Sequence, residues 1–357
     1  MNEGAATGAM PRFLRACQRL PVDRTPVWFM RQAGRYMAVY RAMREKHSLL
    51  EICRQPELAA EVTLQPVKAL GVDAAILFAD ILLPLIPMGA DLEFAPGLGP
   101  VIHNPVRSQR DVDRIQPVEV QEHLGYVLEA IRILQAELPP EVPLIGFAGG
   151  PFTVASYLIE GRATRTFEKA KGMMYSAPKA WHALLGRLAD TLAEFLLAQV
   201  EAGAQAVQMF DSWVGALSPA DYRTYVLPHS ATVLRRVESR GVPVIHFGTN
   251  TATLLPSMRE AGGTVMGVDW RIPLDVGWKA VGEDMAIQGN LDPLALFAPR
   301  PVLAAQVRRI LVEAGGHPGH IFNLGHGILP GTPVENVQAV VEMVHEFSLE
   351  EPGKVVL

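Results

Sequence analysis

Two arginines four residues apart, Arg31 and Arg35, with Gly34 between them, are the first residues in the chain whose types and spacing suggest chemistry. A guanidinium presents a planar fork of donors that fits a carboxylate or a phosphate through two parallel hydrogen bonds. Gly34 has no Cβ and lets the backbone approach a ligand closely. Arg41 and Arg44 follow soon after, either as further ligand contacts or as the solvated continuation of a basic helix. Asp80 sits in the run Phe78-Ala79-Asp80-Ile81-Leu82. A carboxylate among such neighbours is costly to bury unless something pairs with it. It reads as a structural ion pair or as a catalytic or ligand-binding acid. Residues 146–150 are rich in glycine and lead through Pro151 and Thr153 to Tyr157. Such a turn can aim backbone N–H groups at an anion, but it lacks the lysine of a phosphate loop and the spacing of a dinucleotide fingerprint, so ATP and NAD are rejected. In Asn323-Leu324-Gly325-His326-Gly327, a histidine held between two glycines suits a ligand contact or a proton donor better than a core position. His317 and His320 have metal-like spacing, yet no Cys or Glu set completes them, and no metal is expected. Ser212 has no Gly-x-Ser-x-Gly setting, which argues against a hydrolase nucleophile.

These residues need a scaffold, and the pattern around them supplies one. Short β-rich runs alternate with helical patterns, the signature of a parallel sheet. Eight runs stand out, at 27–30, 74–78, 143–147, 206–210, 242–247, 264–268, 285–288 and 320–324, and most are nearly continuous in apolar residues, as strands buried on both faces are. Helical patterns lie between them. One opens at Pro56 and closes at Gly71, and a long one follows Ser176 and stops at Gly203, with Leu184, Leu188, Leu192, Phe195 and Leu196 on one face. The last is read as a capping box at Thr332, with Pro333 first in the helix and Glu335 three residues on. Eight strand–helix units predict a single (β/α)8 (TIM) barrel, against a doubly wound open sheet as the alternative. In a barrel the chemistry belongs at the C-terminal ends of the strands. Arg31, Asp80, Gly149 and Gly150, Asp211 and Ser212, Thr249 and Asn250, Asp269, Asn290 and Asp292, and His326 all fall there.

Composition agrees with a globular enzyme. The 357 residues are 49% hydrophobic and 19% charged, and the formal net charge is −5, so nothing global points to nucleic acid or to an acidic membrane surface. An anion site must arise from local clustering of arginines. Two cysteines, Cys17 and Cys53, make neither a disulfide framework nor a zinc set, and suggest a reduced, cytoplasmic setting. Residues 1–10 lack the features of a signal peptide and are expected to be a disordered tail, with one barrel domain over 11–357. The apolar stretch 74–88 is interrupted by Asp80, Pro84 and Pro87 and is too short for a membrane span.

Taken together, the segment Arg31-Gln32-Ala33-Gly34-Arg35-Tyr36, residues 146–153 with Tyr157, and the stretches Leu64-Gln65-Pro66, Asp80-Ile81-Leu82, Gln288-Gly289-Asn290-Leu291-Asp292-Pro293 and Asn323-Leu324-Gly325-His326-Gly327 resemble, in the same order, the signatures of the uroporphyrinogen decarboxylase family. The similarity runs over roughly residues 11–348. It implies a (β/α)8 barrel, a homodimer, and a cofactor-free, metal-free conversion of the four acetate side chains of uroporphyrinogen III to methyl groups in haem synthesis, giving coproporphyrinogen III and four CO2. By motif position it implies that Arg31 and Arg35 hold substrate carboxylates, with Gln32, Ala33 and Gly34 in the same binding segment, and that Asp80 faces the pyrrole N–H groups. It makes Tyr157, Ser212 and His326 further substrate contacts. Asp80 and Arg31 are the catalytic candidates, with the proton coming from Arg31 or from a water linked to Asp80. Residues 162–165 depart from the family pattern, and Asp211 and Tyr40 stand where some relatives carry Glu and Phe. Two rival readings are a zinc-dependent, cobalamin-linked methyltransferase on the same barrel, which requires a Cys and His zinc set, and a tetrapyrrole carrier, which requires the arginines but not Asp80.

Overall fold

The computed structural model describes residues 10–95 and 97–349, so the tail expected over 1–10 lies, Met10 apart, outside the described residues. Among the described residues there are nine strands: β1 (Ala75–Ile76), β2 (Leu92–Ala95), β3 (Gly99–Ile102), β4 (Leu144–Gly149), β5 (Ala206–Asp211), β6 (Val244–Gly248), β7 (Val265–Gly267), β8 (Ala286–Gln288) and β9 (His320–Ile321). Seven of them, β1 and β4 to β9, pair in chain order as one parallel sheet. Each crossover carries helix, as parallel pairing requires. The antiparallel β2–β3 hairpin, which the periodicity does not announce, is inserted after β1.

The sheet is strongly curled. Gln288 on β8 donates through Nε2 to Oε1 of Gln208 on β5 at 3.0 Å, although two strands separate them in the sheet, and Trp28 Nε1 donates to Gln288 Oε1 at 2.9 Å. Strand alternation then places Phe147, Phe210 and Phe247 on this same inner face, since Phe147 pairs with Gln208 and Phe210 with Phe247. Their rings meet edge to face at 5.5 and 5.9 Å. Asp211 and His246 consequently point outward to the helices.

The eighth expected strand, 27–30, is corrected: it is a single parallel bridge, Val27 to Phe322, rather than a ladder. Its backbone still touches both edges of the sheet, because Trp28 N–H donates to the Phe322 carbonyl at 3.3 Å and the Val27 carbonyl accepts from Asp73 N–H at 2.8 Å. Further along, side chains replace the ladder. Phe29 N–H donates to Gln32 Oε1 and Met30 N–H to Asn323 Oδ1, both at 3.1 Å. The chain then turns at Arg31, whose φ is +58°. Below this seam, buried Asp73 accepts from Arg12 at 2.6 Å, from Val27 N–H at 2.8 Å and from His345 at 2.7 Å, tying the first and last helices to it.

The helices follow their punctuation. Pro56–Leu70 ends at Gly71 with φ +70°, and Pro178–Ala202 buries Leu184, Leu188, Leu192, Phe195 and Leu196 as its spacing predicts. The capping box at Thr332 does not form. The final helix is Val334–Phe347 with Pro333 at its N-cap position, and the Thr332 hydroxyl is buried without a partner. Pro333, at ψ +126°, starts the helix one residue too late for Thr332 to reach its free N–H groups. Among the described residues no helix is long and apolar enough to cross a membrane.

Candidate active site

The mouth of the curled sheet is assembled from the ends of the strands, and its first piece is the turn after residue 30. Arg31 adopts a left-handed backbone that a side chain rarely takes, at a cost of roughly 1 kcal/mol or more. The turn is held from inside. Gln32 is fully buried, its Nε2 donates to the Ala74 carbonyl at 3.1 Å, and its carbonyl accepts from the Tyr36 hydroxyl at 2.7 Å. Arg41 Nη1 donates to the carbonyls of Arg35 and Tyr36 at 2.9 and 2.8 Å, so Arg41 braces the turn. What remains open is the Arg31 guanidinium, the Arg35 guanidinium and, among the described residues, the N–H groups of Ala33, Gly34 and Arg35, which make no hydrogen bond within the protein.

Asp80 stands at the start of the loop after β1. Leu82 N–H donates to its Oδ1 at 2.9 Å, and the half-buried carboxylate has no other protein donor among the described residues. Burial pushes its pKa up to about 6, against the pull of the Leu82 N–H and the positive charge of Arg31. Tyr157 lies within the electrostatic reach of both Asp80 and Arg31, and burial pushes its pKa up to about 12, so its hydroxyl keeps its proton. The Tyr157 ring stacks on Trp213 with centroids 4.1 Å apart. Half-buried Ser212 precedes that tryptophan, and its carbonyl accepts from Thr249 Oγ1 at 2.5 Å.

His326 completes the ring of groups. Gly327 N–H donates to its Nδ1 at 2.6 Å, which leaves the ring proton on Nε2. Burial and the positive charges of Arg31 and Arg271, partly opposed by Asp269, bring its pKa down to about 4. At neutral pH it is an uncharged imidazole whose Nε2–H serves as a hydrogen-bond donor, not an acid. Two glycines fix its place. A Cβ on Gly327 would lie 2.4 Å from Cδ of Arg31, and one on Gly325 would lie 2.5 Å from the Trp270 nitrogen. The histidine loop is therefore packed between the Arg31 side chain and the turn after β7.

The structure thus brings Asp80, Tyr157 and His326 each within electrostatic reach of Arg31, and Asp80 and Tyr157 within reach of one another, whereas Arg35 instead acts on Tyr40. Gln32 serves the scaffold. The glycines at 146–150 serve packing rather than anion binding: Gly150 N–H donates to the Phe210 carbonyl at 2.7 Å, and a Cβ on Gly150 would meet the Asp211 carboxyl carbon at 2.4 Å. His317 and His320 do not converge, because His320 is buried with Nε2 3.0 Å from the Gly289 carbonyl while His317 is exposed. Cys17 and Cys53 are buried and free, and among the described residues no three His, Cys, Asp or Glu side chains are placed to hold a metal ion. Sequence reasoning missed Trp213, whose only signal is its position two residues past β5. It also left Asp269 without a role. That carboxylate accepts from Asn250 N–H at 2.6 Å and from Arg271, while its carbonyl accepts from Asn290 Nδ2 at 2.9 Å, so it binds the ends of β6, β7 and β8 together.

Residues 9–347 match the family model described as uroporphyrinogen decarboxylase (URO-D). A protein of Sorangium cellulosum named uroporphyrinogen decarboxylase is 62% identical over 336 residues, covering 94% of this chain and 96% of its own length. One of Carboxydothermus hydrogenoformans with the same name is 58% identical over the same shares. Among solved structures, a methyltransferase from Methanosarcina mazei aligns with a TM-score of 0.79 at 23% identity over 94% of this chain and 98% of that one, a likeness of fold alone. With the motifs, the strand-end cluster and these relatives in agreement, the chain belongs to the uroporphyrinogen decarboxylase family.

Proposed function

We propose that this mouth carries out the cofactor-free decarboxylation of uroporphyrinogen III to coproporphyrinogen III, releasing four CO2, and that Asp80 and Arg31 are its catalytic pair. The observation that carries the reading is Asp80: one oxygen held by Leu82 N–H, the other without a protein donor among the described residues, in a loop within reach of the Arg31 charge. Losing CO2 from an alkyl acetate leaves a poor carbanion. Protonation of the adjacent pyrrole carbon converts the ring to a cation that accepts the electron pair as the C–CO2 bond breaks. A proton then adds to the side-chain carbon and the ring carbon gives its proton up. Each acetate takes up one proton net and leaves as methyl and CO2. The electron sink is the substrate's own ring, so the chemistry calls for no further group.

An ionised Asp80 stabilises the ring cation and accepts from the pyrrole N–H groups, an oriented charge that needs no rearrangement as the charge develops. The aromatic row Phe147, Phe210 and Phe247 gives the macrocycle an apolar floor. Arg31 and Arg35 bind peripheral carboxylates, with the open N–H groups of Ala33 and Gly34 beside them, and Tyr157, Ser212 and the Nε2–H of His326 supply neutral hydrogen bonds. Arginine is too weak an acid to be the proton source, which leaves a water held by Asp80 as the donor. We further read residues 11–357 as one (β/α)8 barrel domain, closed by the 27–30 segment as its eighth stave, dimeric as the family resemblance implies, and cytoplasmic. Incubation with uroporphyrinogen III without oxygen, followed by oxidation and chromatography, is the test. Products with seven down to four carboxyl groups are expected, and unchanged octacarboxylate overturns the reading.

A further inference from the structure

Arg271 lies just beyond β7, outside every motif that carries the family resemblance, and its surroundings are built rather than incidental. Its Nη1 pairs with Oδ2 of Asp269, a carboxylate that is only 1% exposed. Its guanidinium carbon stands 4.0 Å from the centroid of the Trp270 ring, a cation–π contact. Its backbone N–H also donates to Asp269 Oδ1 at 3.2 Å. One carboxylate and one ring thus fix a side chain that remains 44% exposed. Nε and Nη2 have no protein acceptor among the described residues, so one edge of the fork faces outward with its donors unpaired.

The position of that edge matters. Trp270, next in the chain to Arg271, packs against Gly325, and Arg31 packs against Gly327, so the His326 loop lies between the two turns that carry these arginines. Both charges act on the His326 ring. A substrate with eight carboxylates exceeds what Arg31 and Arg35 can bind in bidentate pairs, and the carboxylates on the far side of His326 from Arg31 need a cation of their own.

Resting on the decarboxylase reading above, we propose that Arg271 is a further substrate-binding residue, which takes a peripheral carboxylate of the macrocycle on the side of His326 opposite Arg31. Asp269 and Trp270 are the positioning residues that hold it. The contact is made equally before and during the reaction, so it acts on binding and not on the chemical step.

The test compares Arg271→Gln and Arg271→Lys with the parent enzyme by steady-state kinetics on uroporphyrinogen III and, separately, by fluorescence titration with uroporphyrin, the oxidised octacarboxylate that cannot react. Arg271→Gln is expected to raise KM and the uroporphyrin Kd about tenfold, with kcat within about twofold. Arg271→Lys keeps the charge but not the fork, and should fall between. The dependence of log(kcat/KM) on log salt should become shallower in Arg271→Gln. A folded Arg271→Gln protein with unchanged KM and Kd overturns the proposal, as does a loss confined to kcat and thermal stability, which would make Arg271 only the counter-ion of Asp269. If Arg271→Gln does not fold, an unchanged Kd in Arg271→Lys overturns it equally. A parent enzyme that binds uroporphyrin but leaves uroporphyrinogen intact defeats the decarboxylase reading and not this one.

Discussion

Gly327→Ala tests whether the Arg31 side chain must lie where the structure puts it. An added Cβ would stand 2.4 Å from Cδ, 2.6 Å from Cγ and 3.0 Å from Nε of Arg31, where ordinary contact begins at 3.4 Å. The deficit is about 1 Å, and it falls on the middle of the side chain rather than its free end. Gly327 has no positive φ, so alanine meets no backbone penalty of its own. Arg31 cannot yield through its backbone, which is already in the left-handed region and anchored by the Phe29–Gln32 turn. The guanidinium must swing by about the same 1 Å or more. A misplacement of that size in a catalytic constellation costs about a hundredfold in rate. The expected result is a fall of about that size in kcat/KM, read from initial loss of carboxyl groups, with a melting temperature within a few degrees of the parent. Gly172→Ala is the control, because a Cβ there meets nothing within 4 Å. The sharper readout is the double variant with Arg31→Ala. If Gly327→Ala acts only through Arg31, the second change adds almost nothing to the first. Losses that multiply, or a Gly327→Ala enzyme within threefold of the parent, would refute the reasoning.

Asp80→Asn should lower kcat by at least two orders of magnitude while uroporphyrin binding changes little, because the neutral amide fills the same space but cannot balance a ring cation; unchanged turnover removes Asp80 from the mechanism. In the parent, kcat/KM should fall as pH drops through about 6, the value to which burial raises Asp80, and Asp80→Asn should lose that limb. Stability should fall on acidification. His246, His320 and His326 each have pKa about 4, brought down first by burial, against 6.5 unfolded. Between those values the unfolded chain binds more protons, so stability is complete above 6.5 and is lost as pH falls toward 4, about 2 kcal/mol per histidine at pH 5. Asp80 and Asp211, raised to about 6 chiefly by burial, act with the opposite sign, because the folded chain holds their protons down to the unfolded value of 3.8. Three groups against two leave a net loss of roughly 3 kcal/mol between pH 8 and pH 5. Urea midpoints measured at both pH values that are equal, or that rise on acidification, would contradict it.

Much of the fold is legible in the sequence because parallel strands are buried on both faces and therefore read as continuous apolar runs. Seven of the eight runs become sheet strands, and Gly71 and Gly203 end their helices as expected. The 27–30 segment fails as a regular strand for a reason periodicity cannot see: Gln32 and Asn323 supply side-chain acceptors for N–H groups that a ladder would otherwise pair. In the candidate site, the sequence shows a charge that stands against its surroundings, as Asp80 does, and does not show what is only spatial. The Gln32 side chain, within the arginine motif, is bonded into the scaffold, and Arg41 clamps the turn from behind. Trp213 and Arg271 carry no motif, and their places follow only from the Tyr157 ring that stacks on the first and the Asp269 carboxylate and Trp270 ring that hold the second.

Three aspartates at strand ends show why residue type and position alone do not assign a role. Asp269 accepts from Asn250 N–H and from the backbone and side chain of Arg271, so its charge is committed to the scaffold. Asp211 accepts from Thr153 N–H and Oγ1 at 3.2 and 2.8 Å, and its Oδ2 is buried without a partner behind Gly150, where no substrate reaches it. Asp80 has one donor, and its other oxygen is accessible rather than sealed. A carboxylate saturated by the protein can neither bind a ligand nor respond to a developing charge, and one sealed from the mouth can do so only at a distance. Only Asp80 combines a fixed orientation with an oxygen left over, and burial raises its affinity for a proton or for any cation that replaces one. The same desolvation that makes an empty site prefer a protonated Asp80 near pH 6 makes an occupied one favour a positively charged pyrrole ring. On the proposed mechanism the destabilised carboxylate would be the source of transition-state binding, and the two should be lost together in Asp80→Asn.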